Sequence, residues 1–140
     1  MLCMQMSVFV ENTTGRLAEL TRILAEHGID IKASTIADTV DFGILRCIVP
    51  NPEEATKILT EAGFTASITE GIAVSIEDKP SGFHKVLQIL ADNDIAVDYI
   101  YSAIQAKDDK AIIMIRVEEQ EKAIRVLTSN GIKLFSMSEL

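Results

Sequence analysis

The first half of the chain alternates between strand-like and helix-like patterns of hydrophobic positions. Residues 4–11 carry apolar side chains at every second position, which is typical of a strand with one buried face. From residue 14 to residue 27 the apolar positions recur at helical spacing, and Gly28 is placed to end that helix. The complete pattern predicts strand, helix, strand, strand, helix and strand at residues 4–11, 14–27, 29–37, 42–49, 52–62 and 64–69.

The second half of the chain repeats the first. A shift of 66 positions sets Val8–Ala37 over Val74–Ala103 without a gap, with identities such as Leu24/Leu90 at positions that would face a core. The offset then changes to 70 and 68, and the polar stretch 105–110 is a suitable loop for that change. The same order of elements is therefore predicted at residues 72–77, 80–92, 95–104, 111–117, 119–129 and 132–136.

The order βαββαβ in each half predicts the ferredoxin-like plan of four antiparallel strands with both helices on one face. We expect an α+β protein of two tandem ferredoxin-like domains, residues 1–70 and 71–140, with their antiparallel sheets packed side by side. Gly71 is the only plausible joint, so the strands on either side should turn sharply there and the halves should fold cooperatively. This fold hosts many unrelated functions, so function must be sought in the loops.

Composition and charge narrow the possible functions. The 13 Lys and Arg residues stand against 21 Asp and Glu, and the net charge of −8 disfavours nucleic-acid binding. We find no signal peptide and no apolar run of membrane-spanning length, and therefore expect a cytoplasmic protein without a membrane partner. Cys3 and Cys47 lack metal-ligand or disulfide spacing, so we expect reduced, packed thiols and no metal or cofactor.

The loop between the first strand and the first helix, residues 11–17 or loop A, has the composition of an anion site. Thr13 or Thr14 could accept a hydrogen bond from a helix N–H group, and Gly15 permits close approach of the backbone. Unpaired amides at the positive end of a helix suit a carboxylate, and Asn12 could accept from an ammonium group. A simple capped turn explains the same residues about equally well.

The corresponding loop of the second half, residues 77–83 or loop B, repeats these features with changes. Pro80 suits the first position of a helix, Gly82 permits a close approach, and Asp78 stands where Asn12 stands in the first half. The loop could therefore present the same two kinds of group to a ligand.

These loops and the repeat resemble the ACT family of domains. That family carries Asp or Asn, any residue, Pro, Gly, any residue and Leu at this turn, then an amphipathic helix and a Gly-Ile-Asn-like start of the next strand. Asn12–Leu17 with Gly28–Ile31 is similar to this pattern, and Asp78–Phe83 with Asp94–Val97 is similar to a second copy. The resemblance covers nearly the whole chain.

The sequence departs from the family pattern at both loops. Thr14 stands where the family prefers Pro, and Ser81 stands where it prefers Gly, with Gly82 one place later. We therefore expect the two copies to bind ligand unequally.

The resemblance implies a non-catalytic sensor that binds a free amino acid at the interface between ACT domains, and that regulates an unidentified partner enzyme. The binding residues that it implies, carried over by position, are Asn12, Thr14, Gly15, Arg16 and Leu17 in loop A and Asp78, Pro80, Ser81, Gly82 and Phe83 in loop B. A turn at Ala37–Thr39 with Phe42 and Gly43 is a weaker candidate.

Other functional classes remain as alternatives. A module for assembly that binds no ligand is compatible with the same fold. A small enzyme of the acylphosphatase type lacks its glycine-rich phosphate cradle here, because Arg16 is the only arginine at the first turn. The soft ligands Met1, Cys3, Met4 and Met6 could suit Cu(I), although alternating methionines are better explained as a buried strand face.

Apolar residues in the third strand of each half lead us to predict self-association. Arg46 and Arg116 occupy matching positions there, and their apolar neighbours would share the sheet face that carries no helices. Those neighbours are Ile44, Ile48, Ile112 and Met114. Because such a face needs cover, we expect a homodimer or a larger oligomer.

Overall fold

The computed structural model describes residues 2–107 and 110–140, which divide into two compact units. The first unit is Met4–Thr69, and the second is Glu70–Leu140 together with Leu2 and Cys3. Each unit has the order of elements and the layered α+β architecture that the hydrophobic pattern predicts.

The first unit is a sheet covered on one face by two helices. Its elements are β1 (Cys3–Glu11), α1 (Arg16–Glu26), β2 (Ala33–Asp38), β3 (Phe42–Ile48), α2 (Pro52–Glu61) and the first residues of β4 (Thr65–Glu77). The strand order is β2-β3-β1-β4, and β3 pairs antiparallel with both neighbours, so that Leu45 faces Val8 on one side and Ile36 on the other.

The second unit repeats this plan. It contains the last residues of β4, then α3 (Pro80–Asp92), β5 (Val97–Lys107), β6 (Lys110–Val117), α4 (Gln120–Ser129), β7 (Leu134–Phe135) and a short 3₁₀ helix (Met137–Glu139). The order here is β7-β4-β6-β5, with Val74 opposite both Ile113 and Leu134.

Each unit has its own hydrophobic core, built from the alternating strand positions and the apolar helix stripes. In the first unit the buried residues are Met6, Val8, Val10, Leu20, Ile23, Leu24, Leu45, Cys47, Val49, Ala55, Leu59 and Phe64. In the second they are Ile72, Val74, Ile76, Val86, Leu90, Ile95, Ile113, Ile115, Val117, Ala123, Leu127 and Leu134. Full burial of a large apolar side chain contributes about 1.5 to 3 kcal/mol, so these cores dominate the stability of the fold.

The ends of α1 and α3 explain why two strands begin later than predicted. Gly28 ends α1 with a left-handed backbone (φ 68°), and the N–H of Ile29 donates to the carbonyl of Leu24 at 2.9 Å. The second unit makes the same bond from Ile95 to Leu90, although the left-handed residue there is Asp94. The isoleucine after each helix therefore completes the helix end, and β2 and β5 start only at Ala33 and Val97.

The predicted sharp turn at Gly71 is wrong. The chain continues there as one strand, β4, from Thr65 to Glu77, and Gly71 is buried inside it. The predicted polar loop 105–110 is also shorter than expected, because β5 extends to Lys107 and β6 begins at Lys110. Residues 108 and 109 of that loop lie outside the described residues.

The predicted uncovered apolar face is largely absent. Ile48, Ile112 and Met114 are buried in the single chain, so they give no reason to expect a second copy. Phe9 and Phe42 remain exposed near loop A, at 47% and 37%, as does Leu17 within it. Among the described residues, no helix is long and apolar enough to cross a membrane.

Candidate functional site

Loop A is an open turn whose geometry depends on Gly15. Gly15 occupies the N-cap of α1 with a left-handed backbone (φ 87°), and its carbonyl accepts the first helical hydrogen bond from Glu19 at 2.9 Å. The N–H of Arg16 donates back to the carbonyl of Thr13 at 3.2 Å, which closes the turn. A side chain in this position would meet no atom within 4 Å, so only the backbone conformation requires glycine.

The start of α1 presents unpaired backbone donors. The predicted cap by Thr13 or Thr14 is wrong, because Gly15 holds the cap position and no side chain caps the helix. Within the described residues no acceptor lies in hydrogen-bonding position for the N–H groups of Leu17 and Ala18. The absence of a side-chain cap leaves the positive end of the helix available to an anion.

Asn12 joins loop A to the turn between β2 and β3. Its backbone N–H donates to the carbonyl of Asp41 at 3.2 Å, and its side-chain amide donates to the carbonyl of Thr39 at 3.0 Å. The hydroxyl of Thr39 donates in turn to the carbonyl of Phe42 at 2.7 Å. The carboxamide oxygen of Asn12 lies on the side of buried Gly43 and accepts no hydrogen bond from the described residues. The structure thus brings the two candidate segments of the first half together.

Arg16 is held by protein groups rather than presented to solvent. Its guanidinium donates to Glu11 at 2.7 Å and to Glu19 at 3.0 Å, and it lies 3.8 Å from the ring centre of Phe64. The hydrogen bond from Arg16 holds the pKa of Glu11 below its usual value, and the bonds to Glu11 and Glu19 raise the pKa of Arg16. We therefore assign Arg16 to fixing the loop against α1, since two carboxylates already neutralise its charge.

Exposed apolar side chains lie in and near loop A. Phe9 and Phe42 contact each other with their ring centres 5.3 Å apart, and Leu17 is exposed at 38%. Val40, in the turn that Asn12 holds, is exposed at 94%. This combination of free amides, a carboxamide oxygen and apolar surface can bind a small molecule with charged and apolar parts.

Loop B has a different construction. Lys79 takes the N-cap of α3 without a side-chain cap, Pro80 has no N–H, and the N–H of Gly82 donates to the carbonyl of Lys79 at 2.9 Å. A Cβ on Gly82 would overlap the carbonyl oxygen of Glu77, so the glycine allows α3 to pack directly on the end of β4. Of the carried-over residues, Gly82 is buried, and the others are exposed, namely Asp78, Pro80, Ser81 and Phe83. Among the described residues no acceptor is positioned for the N–H groups of Ser81 and Phe83, so the start of α3 offers as many free amides as the start of α1.

Lysines surround loop B. The ammonium of Lys79 lies 2.6 Å from Glu77 and that of Lys110 lies 3.7 Å from it. The hydrogen bond from Lys79 holds the pKa of Glu77 below its usual value, and the charges of Lys110 and Lys85 act in the same direction. Sequence reasoning missed this cluster because its members come from different elements and share no spacing.

Cys3 and Cys47 are buried free thiols. Burial raises the pKa of Cys47 to about 12 and also raises the pKa of Cys3, so both thiols stay protonated at neutral pH. The thiol of Cys3 donates to the carbonyl of Phe135 at 3.4 Å, and Met6 is buried in the first core. Two members of the proposed soft-ligand set remain. Met4 is half-buried, and Met1 lies outside the described residues. In the described part of the chain, no three His, Cys, Asp or Glu residues are grouped so that they could hold a metal ion.

One protein family matches this chain over its full length. The sequence model of a family described as ACT domain pair matches residues 1–140. The crystal structure of protein BT0572 from Bacteroides thetaiotaomicron is 37% identical, with 96% of this chain and 92% of that chain covered and a TM-score of 0.89. No curated protein matches the sequence.

More distant solved structures share the fold. The regulatory subunit of aspartate kinase from Thermus thermophilus, in its ligand-free form, is 17% identical over 90% of this chain and 91% of that chain, with a TM-score of 0.64. The corresponding subunit from Thermus flavus is 21% identical over 92% and 94%, with a TM-score of 0.61. At these identities the likeness concerns the fold alone.

Proposed function

Because this chain belongs to the ACT domain pair family, we propose that it is a non-catalytic sensor of a free amino acid, with loop A as its principal binding site. The observation that carries the proposal is the open start of α1, where the amides of Leu17 and Ala18 lack acceptors among the described residues. The free carboxamide oxygen of Asn12 belongs to the same loop.

The proposed binding mode uses these groups for the two charges of an α-amino acid. The carboxylate accepts hydrogen bonds from the free amides at the positive end of α1. The ammonium donates to the carboxamide oxygen of Asn12, which keeps its orientation through the bond to Thr39. The apolar surface at Phe9, Phe42 and Leu17 then contacts the ligand side chain or an ACT domain of a second copy.

Loop A is preferred to loop B because it combines free amides at the helix start with a carboxamide that the protein holds in place, through the bond from Asn12 to Thr39. Asp78, which stands where Asn12 stands, is exposed and has no such hydrogen bond among the described residues. The two copies are therefore proposed to differ in affinity, with loop A binding more tightly.

A sensor without its own catalysis requires a partner, and we propose that a separate enzyme receives the signal. Regulatory subunits of aspartate kinase show that a protein with this fold can act as a separate regulatory chain. An assembly module without a ligand is the second candidate, because Phe9 and Phe42 form an exposed aromatic pair that another protein surface could cover.

The proposal is tested by screening the twenty L-amino acids and their D-forms by thermal shift. A ligand at about 100 times its dissociation constant stabilises the native state by about 2.7 kcal/mol. For a chain of this size, that corresponds to a rise in melting temperature of about 5 to 10 °C. One or a few L-amino acids should produce this rise.

The variant Asn12→Ala should weaken the binding of that amino acid about ten- to hundredfold, as expected for a lost hydrogen bond to a charged group. Thr39→Ala is the matched control, because it alters the same turn and keeps the carboxamide of Asn12. If no amino acid at millimolar concentration moves the transition, the assembly module replaces the sensor.

A further inference from the structure

The second unit contains a cavity of about 340 Å³ beside loop B. Its walls come from the end of β4, the first turns of α3, the start of β6 and the segment that leads into β7. The residues that matter for its chemistry are Ser75, Glu77, Gly82, Lys85, Lys110 and Lys133. Since liquid water occupies about 30 Å³ per molecule, the cavity has room for a small metabolite.

The charge of this cavity is opposite to that of the chain. Three lysines and one glutamate line it, which leaves a formal charge of +2, whereas the whole chain carries −8. Glu139 approaches the ammonium of Lys133 only at 4.0 Å, and Lys85 makes no ion pair within the described residues. The local surplus of positive charge in the cavity attracts a compact anion, whereas the rest of the acidic surface repels one.

The charge of the lining selects the kind of anion. The three lysines act as point charges, which suit a compact anion of high charge. A phosphoryl group carries about −1.5 to −2 charges at neutral pH, which matches the surplus of +2. The cavity volume exceeds what a phosphoryl group alone requires.

We propose that this cavity is a binding site for the phosphoryl dianion of a small molecule, separate from the amino-acid site at loop A. Lys85, Lys110 and Lys133 surround the anion, and Glu77 positions Lys110 through their contact at 3.7 Å. Occupation of this site gives the second unit a phosphoryl ligand in addition to the weaker amino-acid binding proposed for loop B.

The test is a titration of the ¹⁵N-labelled chain with inorganic phosphate, followed by amide NMR at constant ionic strength maintained with sodium chloride. The amides of Gly82, Gly131 and Lys133 should shift saturably. Lys85→Met combined with Lys133→Met should weaken binding about tenfold, which corresponds to the loss of two exposed charge contacts. Lys57→Met, an exposed lysine on α2 of the first unit, should bind like the wild type.

A second titration with glycerol 3-phosphate distinguishes the sources of the group. Tighter binding than inorganic phosphate identifies a phosphorylated metabolite, and equal binding identifies free phosphate; either result supports the site. The proposal is overturned if the shifts do not saturate, if sodium chloride alone produces them, or if the double variant binds as the wild type does. Preserved amide shifts of core residues of the second unit away from the cavity, such as Val117 and Leu127, show that the double variant is folded.

Discussion

At the scale of single residues, Arg16 already has several partners within the protein. The resemblance implied a ligand contact, but its guanidinium is shared by Glu11 and Glu19 and lies on the ring of Phe64. The motif predicted the turn itself, because the turn needs a glycine with a left-handed backbone and an amide side chain at fixed spacing, and Gly15 and Asn12 supply them. It could not identify the partners of Arg16, since Phe64 is distant in sequence and comes close only through packing.

The bond between Arg16 and Glu11 should make stability depend on pH. The pKa of Glu11 is lowered in the folded chain, so its contribution is fully present above the ordinary value of 4.5 and is lost as the pH falls through the folded-state value. Arg16→Met should therefore reduce the free energy of unfolding at neutral pH, and the difference from the wild type should shrink in acid.

Urea denaturation at a series of pH values between about 6 and 3 measures this difference. Arg22→Met is the control, because it removes an exposed arginine from the same helix without touching loop A. A difference between Arg16→Met and the wild type that stays constant over the whole pH range would contradict the assignment.

At the scale of elements, the hydrophobic pattern predicted most of the helices and strands but not how they join. The helix at 80–92 was predicted with its observed bounds, because Pro80 and the apolar stripe are local signals. The starts of β2 and β5 were wrong, since Ile29 and Ile95 satisfy a strand pattern while their N–H groups complete the preceding helix. The continuity of β4 through Gly71 was also missed, because a glycine between two strand patterns has the same local appearance in a turn and in a strand.

The packing of α3 on β4 predicts different costs for two similar glycine substitutions. Gly82→Ala should destabilise the second unit by about 3 kcal/mol, because the added methyl group overlaps the backbone of Glu77. Gly15→Ala should cost only about 1 to 2 kcal/mol, since the space is open and only the left-handed backbone is strained. Urea denaturation followed by circular dichroism gives both values, and equal costs would contradict the packing.

At the scale of the whole molecule, the exposed aromatic pair of the first unit supports self-association. Phe9 and Phe42 are exposed at 47% and 37% with their rings in contact. Light scattering at micromolar concentration should give at least twice the mass of one chain. Phe9→Ser with Phe42→Ser should shift the chain to the monomer, while Phe83→Ser, equally exposed in the second unit, should not. A wild-type mass of one chain at every concentration would exclude self-association.

The central claim is that the open start of α1 binds an amino acid, and amide NMR of the ¹⁵N-labelled chain titrated with single L-amino acids tests it most directly. One of them should produce saturable shifts at the amides of Thr14, Gly15, Leu17 and Ala18 and at the side-chain amide of Asn12. These are the groups of loop A and of the first turn of α1. Saturable shifts confined to other parts of the chain, or no shifts with any of the twenty amino acids, would contradict the claim.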